Sequence, residues 1–193
     1  MFKKGISLII TILMAGFMTS SSIVSAKNIS YTKQTDIISK YQAEYFNIIK
    51  RNNVLLQMED TAKLNADRQD LENLFTKVKM QITNERYLNK YNKIQKRYSQ
   101  CDGITTIEIN TCADKNYKAI NKLLDDVYKK AESKLDFENS KNLAYDEIKW
   151  EKDVEDYKKV FDSIKFGTIG TSVFYSYEIN MKEFRTLLLM LYL

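Results

Sequence analysis

The stretch TTIEINTCADKNYKAINKLLDDVYKKAESKL, residues 105–135, decides the fold class. At its head, Thr105-x-x-Glu108 has the form of a capping box. A hydroxyl there accepts from a free backbone N–H of the first turn, and a carboxylate reaches back to the capping residue. Behind it Ala113, Tyr117, Ile120, Leu124, Val127, Ala131 and Leu135 recur at intervals of mostly three and four, widened by Leu123 and Tyr128. Lys118, Lys122, Asp125, Lys129 and Glu132 fall largely on the opposite face. One apolar stripe backed by charge is the pattern of a helix with one side in a core. Asp102-Gly103 is a turn signal just before it.

The same period continues on both sides. Downstream, a helix from about 140 to 164 carries Leu143, Trp150, Val154, Tyr157, Phe161 and Ile164 on one face. Glu147 stands there where an apolar residue is expected. Gly167 and Gly170 mark a break, and a last element covers about 172–193. Its apolar run Leu187–Leu193 is too short to span a bilayer. It packs into the core or onto a partner, or the chain is cut short relative to its relatives. Upstream, Ile37, Ile38, Tyr41, Tyr45, Ile48, Ile49, Leu55, Leu56 and Met58 form one stripe. Leu64, Leu71, Leu74, Phe75, Val78 and Ile82 form another, followed by Tyr87, Tyr91, Ile94 and Tyr98. Turns near Asp60-Thr61 and Thr83-Asn84 leave open whether this half is two helices, three, or one long interrupted one.

Composition agrees. The chain has no Pro, five Gly and 13 Tyr. Many short strands would need more turn residues than that. The absence of His excludes His-based metal sites, Ser-His and Cys-His pairs and a His general base.

Residues 1–26 read as a signal peptide. Lys3 and Lys4 form a positive start, Gly5 to Met18 an apolar run, and Val24-Ser25-Ala26 a cleavage site. The run is shorter than the roughly 20 residues of a membrane helix, so no stable span is expected after cleavage. No Cys follows it, which excludes a lipid anchor at that point. The expected location is extracytoplasmic, periplasmic or secreted. Removing Lys3 and Lys4 lowers the formal charge from +5 to +3. Cys101 and Cys112 are the only cysteines, and an exported chain with two normally forms one disulfide. Two free thiols or an intermolecular bond are the alternatives.

Cys101-(x)10-Cys112-Ala113, with Thr105, Glu108 and Asn110 inside and Tyr117, Ala119 and Leu123-Leu124 after, resembles the LprI-like lysozyme-inhibitor family of secreted bacterial domains. The resemblance covers about residues 101–190. Leu143 and Trp150 keep the family's spacing, with Asp146-Glu147 where Ala-Gln usually stands. The glycine-containing loop and the arginine of the final helix look like Gly167–Gly170 and Arg185. The chain departs from the family at Val154-Glu155, where Arg-Asp is common, and lacks a second Cys pair, whose places by spacing are Lys158 and Tyr177. Joint loss of those two supports pairing of Cys101 with Cys112.

Periodicity and the resemblance together give the expected fold class, an all-α chain: an antiparallel helical bundle with one disulfide and a helical N-terminal extension that has no counterpart in the family. The expected divisions are 1–26 signal peptide, 27–100 extension and 101–193 LprI-like domain. The resemblance implies binding and inhibition of a lysozyme-type glycosidase, with no enzymatic activity and no cofactor. The alternative is a non-inhibitory structural or interaction protein of the cell envelope. The net positive charge does not help the first reading, since host lysozymes are commonly basic. Lys165, Thr168, Thr171 and Ser172 lie in the one segment that looks like a presented loop, with a cation and hydroxyls beside glycines. They are the expected partner-binding residues, and a plain helix–helix connection is the other reading. Asp125-Asp126 and Asp153–Asp156 alternate with Lys and read as solvated faces rather than metal sites. Tyr87, Tyr91 and Tyr98 among Lys90, Lys93, Lys96 and Arg97 read as core packing rather than a nucleic-acid surface.

Overall fold

The computed structural model describes residues 31–52, 61–98, 105–162 and 170–193, and every described regular element is helical. The signal-peptide residues, Cys101, Lys165 and Thr168 lie outside these. The chain divides into two units between Ile37 and Ile38. In the first, residues 31–37 are helical, and the Thr35 hydroxyl donates to the Tyr31 carbonyl at 3.0 Å. Among its described residues the second unit, 38–193, has six helices: α1 (38–52), α2 (Thr61–Lys79), α3 (Glu85–Tyr98), α4 (Thr106–Glu132), α5 (Phe137–Asp162) and α6 (Gly170–Met190).

Local chemistry sets the ends of these helices. Thr105 has extended backbone, accepts from Glu108 N at 3.2 Å, and receives the Glu108 carboxylate on its own N–H at 3.0 Å. The capping box read from the sequence is therefore formed. Asp136 does the same work for α5, accepting from Asn139 N at 2.9 Å. Asn84 accepts from Tyr87 N at the head of α3. There Glu85 in the first turn and Lys96 and Arg97 in the last complement the helix dipole. The break between α2 and α3 falls at Thr83-Asn84, as the sequence suggested.

The core is organised around α6, which packs most extensively on α4 and also meets α2, α3 and α5. Leu187, Leu188, Leu189 and Met190 are all buried, so the helix is covered on every side at that level. The terminal apolar run therefore belongs to the core of this chain. The α4 stripe supplies Ala113, Ile120, Leu123, Leu124, Val127 and Ala131. Leu143, Trp150 and Tyr157 of α5 follow at intervals of seven. Tyr45 of α1 stacks on Phe184 of α6 at 4.5 Å and 11°, with Phe75 of α2 against both. No helix among the described residues is long and apolar enough to cross a membrane.

One expectation changes. Thr171 and Ser172 lie in the first turn of α6, which opens at Gly170 rather than near residue 172. They are helical residues, not part of a loop. The two glycines suggested a break through this stretch, but glycine is tolerated in the first turn of a helix as it is near an N-cap.

Candidate functional site

The irregularity at Glu147 has a partner. Arg185 of α6 is 98 % covered along its side chain, and its Nε donates to Glu147 Oε2 at 2.9 Å while Nη2 stands 2.7 Å from the same oxygen. Nη1 donates to Gln42 of α1 at 2.9 Å. The guanidinium also lies 5.8 Å from the centre of the Trp150 ring. One cation thus ties α1, α5 and α6 together. Glu147, the exception within its apolar stripe, is thus the counter-charge of Arg185.

Two depressions flank that arginine. The larger, about 680 Å³, runs between α1 and α5. Ile38, Ala43 and Phe46 form an apolar wall, Asp146, Asp153 and Asp156 with Lys50 and Lys149 a rim of mixed charge, and Arg185 part of the floor. The smaller, about 370 Å³, lies over Trp150 between α4 and α5, bounded by Tyr128, Ile148 and Lys182. Lys182 donates to Asn121 at 2.9 Å, and its ammonium sits 5.2 Å from the Tyr117 ring centre and 6.0 Å from that of Trp150. Beside this groove Tyr145 and Ile148 are exposed on α5, with Phe137 at its head. Large apolar side chains in water beside a groove suit a protein surface.

The strongly shifted titratable groups sit elsewhere, in the core. Burial pushes the Glu183 carboxyl up to about 7, while Gln95, Asn116 and the charge of Lys79 pull it partly back. That pull is incomplete: Glu183 Oε1, Gln95 Nε2 and Asn116 Nδ2 make no aligned hydrogen bond, so desolvation dominates. Tyr45 and Tyr91 are raised by burial as well. None of these three lines either depression. Among the described residues no group of three or more His, Cys, Asp or Glu could hold a metal ion.

The expected site residues are only partly visible. Cys112 is half-buried in the second turn of α4, and its expected partner Cys101 lies outside the described residues. Thr171 and Ser172 open α6, while Lys165 and Thr168 also lie outside. Tyr177 of α6 meets Tyr157 of α5, the neighbour of Lys158, at 6.0 Å between ring centres. The sequence reading flagged Glu147 as misplaced and matched Arg185 to the family, but did not join them. It missed both depressions, which form between helices distant in the chain.

Comparison with curated proteins and with solved structures gives no match. Residues 98–189, from the end of α3 to Leu189 of α6, match the family model described as lysozyme inhibitor LprI, the family and nearly the span to which the cysteine-framed motif pointed.

Proposed function

We propose that this chain is exported, with its mature form beginning at Lys27, and that it binds and inhibits a lysozyme-type glycosidase outside the cytoplasm. The observation that carries this is the family match over residues 98–189, which implies a protein partner rather than a small-molecule substrate. We also propose that Cys101 and Cys112 are bonded to each other, fixing the segment before α4 against its second turn.

The contact we propose is the segment containing Lys165 and Thr168, together with Thr171 and Ser172 at the opening of α6. Lysozyme-type enzymes use two carboxylates flanking the scissile bond, one protonated and one ionised. A lysine can pair with the ionised group, and hydroxyls can bond to either. The test is residual lysozyme activity on bacterial cell walls against increasing amounts of folded protein, with size-exclusion chromatography for a one-to-one complex. Inhibition by the wild type, weakened by on the order of 2 kcal/mol in Lys165→Ala, is the expected result. Undiminished inhibition by the variant keeps the function and discards this contact. No inhibition at micromolar excess ends the lysozyme reading.

One observation favours a second reading, a non-inhibitory interaction protein of the envelope. Phe137, Tyr145 and Ile148 stand exposed along α5. Self-association or fractionation with the cell wall, without inhibition, supports that reading.

A further inference from the structure

α3 carries five cations and one carboxylate: Arg86, Lys90, Lys93, Lys96 and Arg97 against Glu85. Four of the cations have a stricter order. Arg86, Lys90, Lys93 and Arg97 are spaced four, three and four, which puts them in one line along the helix. At 1.5 Å per residue the line is about 16 Å long. Arg86, Lys93 and Arg97 are exposed. Lys90 Nζ stands 3.7 Å from Asp126 Oδ2 of α4, which locates the α4 side that borders the line. Lys122 and Lys130 lie one turn before and after Asp126, and Lys115 three turns before it, all exposed. Two rows of cations therefore run side by side on adjoining helices.

What surrounds the rows narrows the ligand. The other exposed positions of α3 include Glu85, Asn89 and Asn92, and no large apolar side chain of α3 is exposed. The exposed isoleucines of α4, Ile107 and Ile109, stand in its first turns, about two turns from Lys115 and more than three from Lys122, and exposed Met80 precedes α3. A bilayer surface is usually held by apolar side chains sunk beside the basic ones, and none is interleaved with the cations of α3. Binding of single-stranded nucleic acid uses free aromatic faces for stacking. Tyr91 is buried, and the Tyr87 ring is covered by Lys90 Nζ at 5.0 Å. What fits is a linear polyanion with no bases and no lipid tails. The guanidinium ends of the line suit tetrahedral phosphate oxygens, which they can grip with two parallel bonds.

We infer that the α3–α4 face binds a linear phosphate polymer of the polyol-phosphate or polyphosphate type. This goes beyond the lysozyme reading and does not rest on it. The face tethers the chain to an anionic polymer while other surfaces stay free for a protein partner. Long-chain inorganic polyphosphate and polyglycerol phosphate are the probes, titrated against the full protein over a range of salt concentrations. Both should bind, with log affinity falling against log salt at a slope of about 2 if Arg86, Lys93 and Arg97 each displace a counterion, and more if Lys90 leaves Asp126 or the α4 row joins. Arg86→Gln/Lys93→Gln/Arg97→Gln should weaken binding about tenfold or more and cut the slope by about 2. Lys40→Gln/Lys141→Gln/Lys152→Gln, which removes as many exposed charges elsewhere, should leave binding nearly unchanged. Unaltered circular dichroism shows that both variants fold. Equal loss in the two variants, or no polyphosphate binding at low salt, overturns the proposal. So does tighter binding to oligothymidylate, or to vesicles containing phosphatidylglycerol, than to either polymer.

Discussion

Arg185 and Glu147 are 38 residues apart, yet the guanidinium Nε reaches the carboxylate at 2.9 Å through an otherwise apolar seam. Removing one member of a buried pair costs far more than softening it, because the remaining charge loses its counter-charge. Glu147→Ala should therefore cost about 3–5 kcal/mol. Glu147→Gln keeps an acceptor and should cost less than about 1.5 kcal/mol. Urea unfolding with an unchanged m value decides between these. Equal losses in the two variants would show that the charge contributes little.

Glu183 makes stability depend on pH with a sign opposite to that of most paired carboxylates. Burial raises its folded pKa from 4.5 to about 7, so the folded chain holds the proton more tightly than the unfolded one. Its contribution is then full below about pH 4.5, falls as pH rises towards about 7, and is flat above that. The total change is on the order of 3 kcal/mol. Glu183→Gln should be more stable than the wild type at pH 8, with the difference shrinking towards pH 5. Parallel stability curves for the two proteins across this range would refute the assignment.

Trp150 is 4 % exposed and sits between Leu143 and Tyr157 on the α5 seam. Trp150→Ala should cost about 3–5 kcal/mol. Because this is the one tryptophan of the chain, its emission reports the same fact directly. A maximum blue-shifted from free indole is expected in the native protein, and a water-like maximum would contradict the burial.

The start of α4 offers two separable tests. Thr105→Ala removes the acceptor for Glu108 N and should cost about 1 kcal/mol. Non-reducing peptide mapping should recover Cys101 and Cys112 in one linked fragment. Reduction should then lower stability by about 3 kcal/mol in the chain-entropy view. Free thiols in protein taken from its native compartment would refute the bridge.

The parts of this fold that could be read in advance are those with local causes. The α4 cap and stripe depend on residues three and four apart, and the structure reproduces both. The burial of Tyr41, Tyr45 and Tyr91 also follows from spacing, while Tyr87 and Tyr98, expected in the same packing, are only half-buried. Glu147 could be seen as an exception within its stripe, but its reason could not. Arg185 is brought to it by the packing of α6, and periodicity carries no information about which helix faces which. The cleft between α1 and α5 was hidden for the same cause. The glycines near residue 170 misled in the other direction, because they suggest a break without saying on which side of them the next helix begins. The α3 cations were read only as neighbours of the tyrosines. Their alignment with a second row becomes visible once Lys90 is placed beside Asp126.

The central position of α6 has a consequence for how the molecule comes into being. Every other helix of the second unit precedes it in the chain, and α2, α3, α4 and α5 each rest part of their apolar surface on it. Until α6 is synthesised those surfaces have no permanent cover, so the earlier helices remain a loose and reversible collection. Some of the pairings that join helices are distant in sequence, as between Tyr45 and Asn180, which are 135 residues apart. Such an order of events favours late consolidation over growth from the N-terminal end. A chain built this way becomes firm only when its last described helix has joined the others.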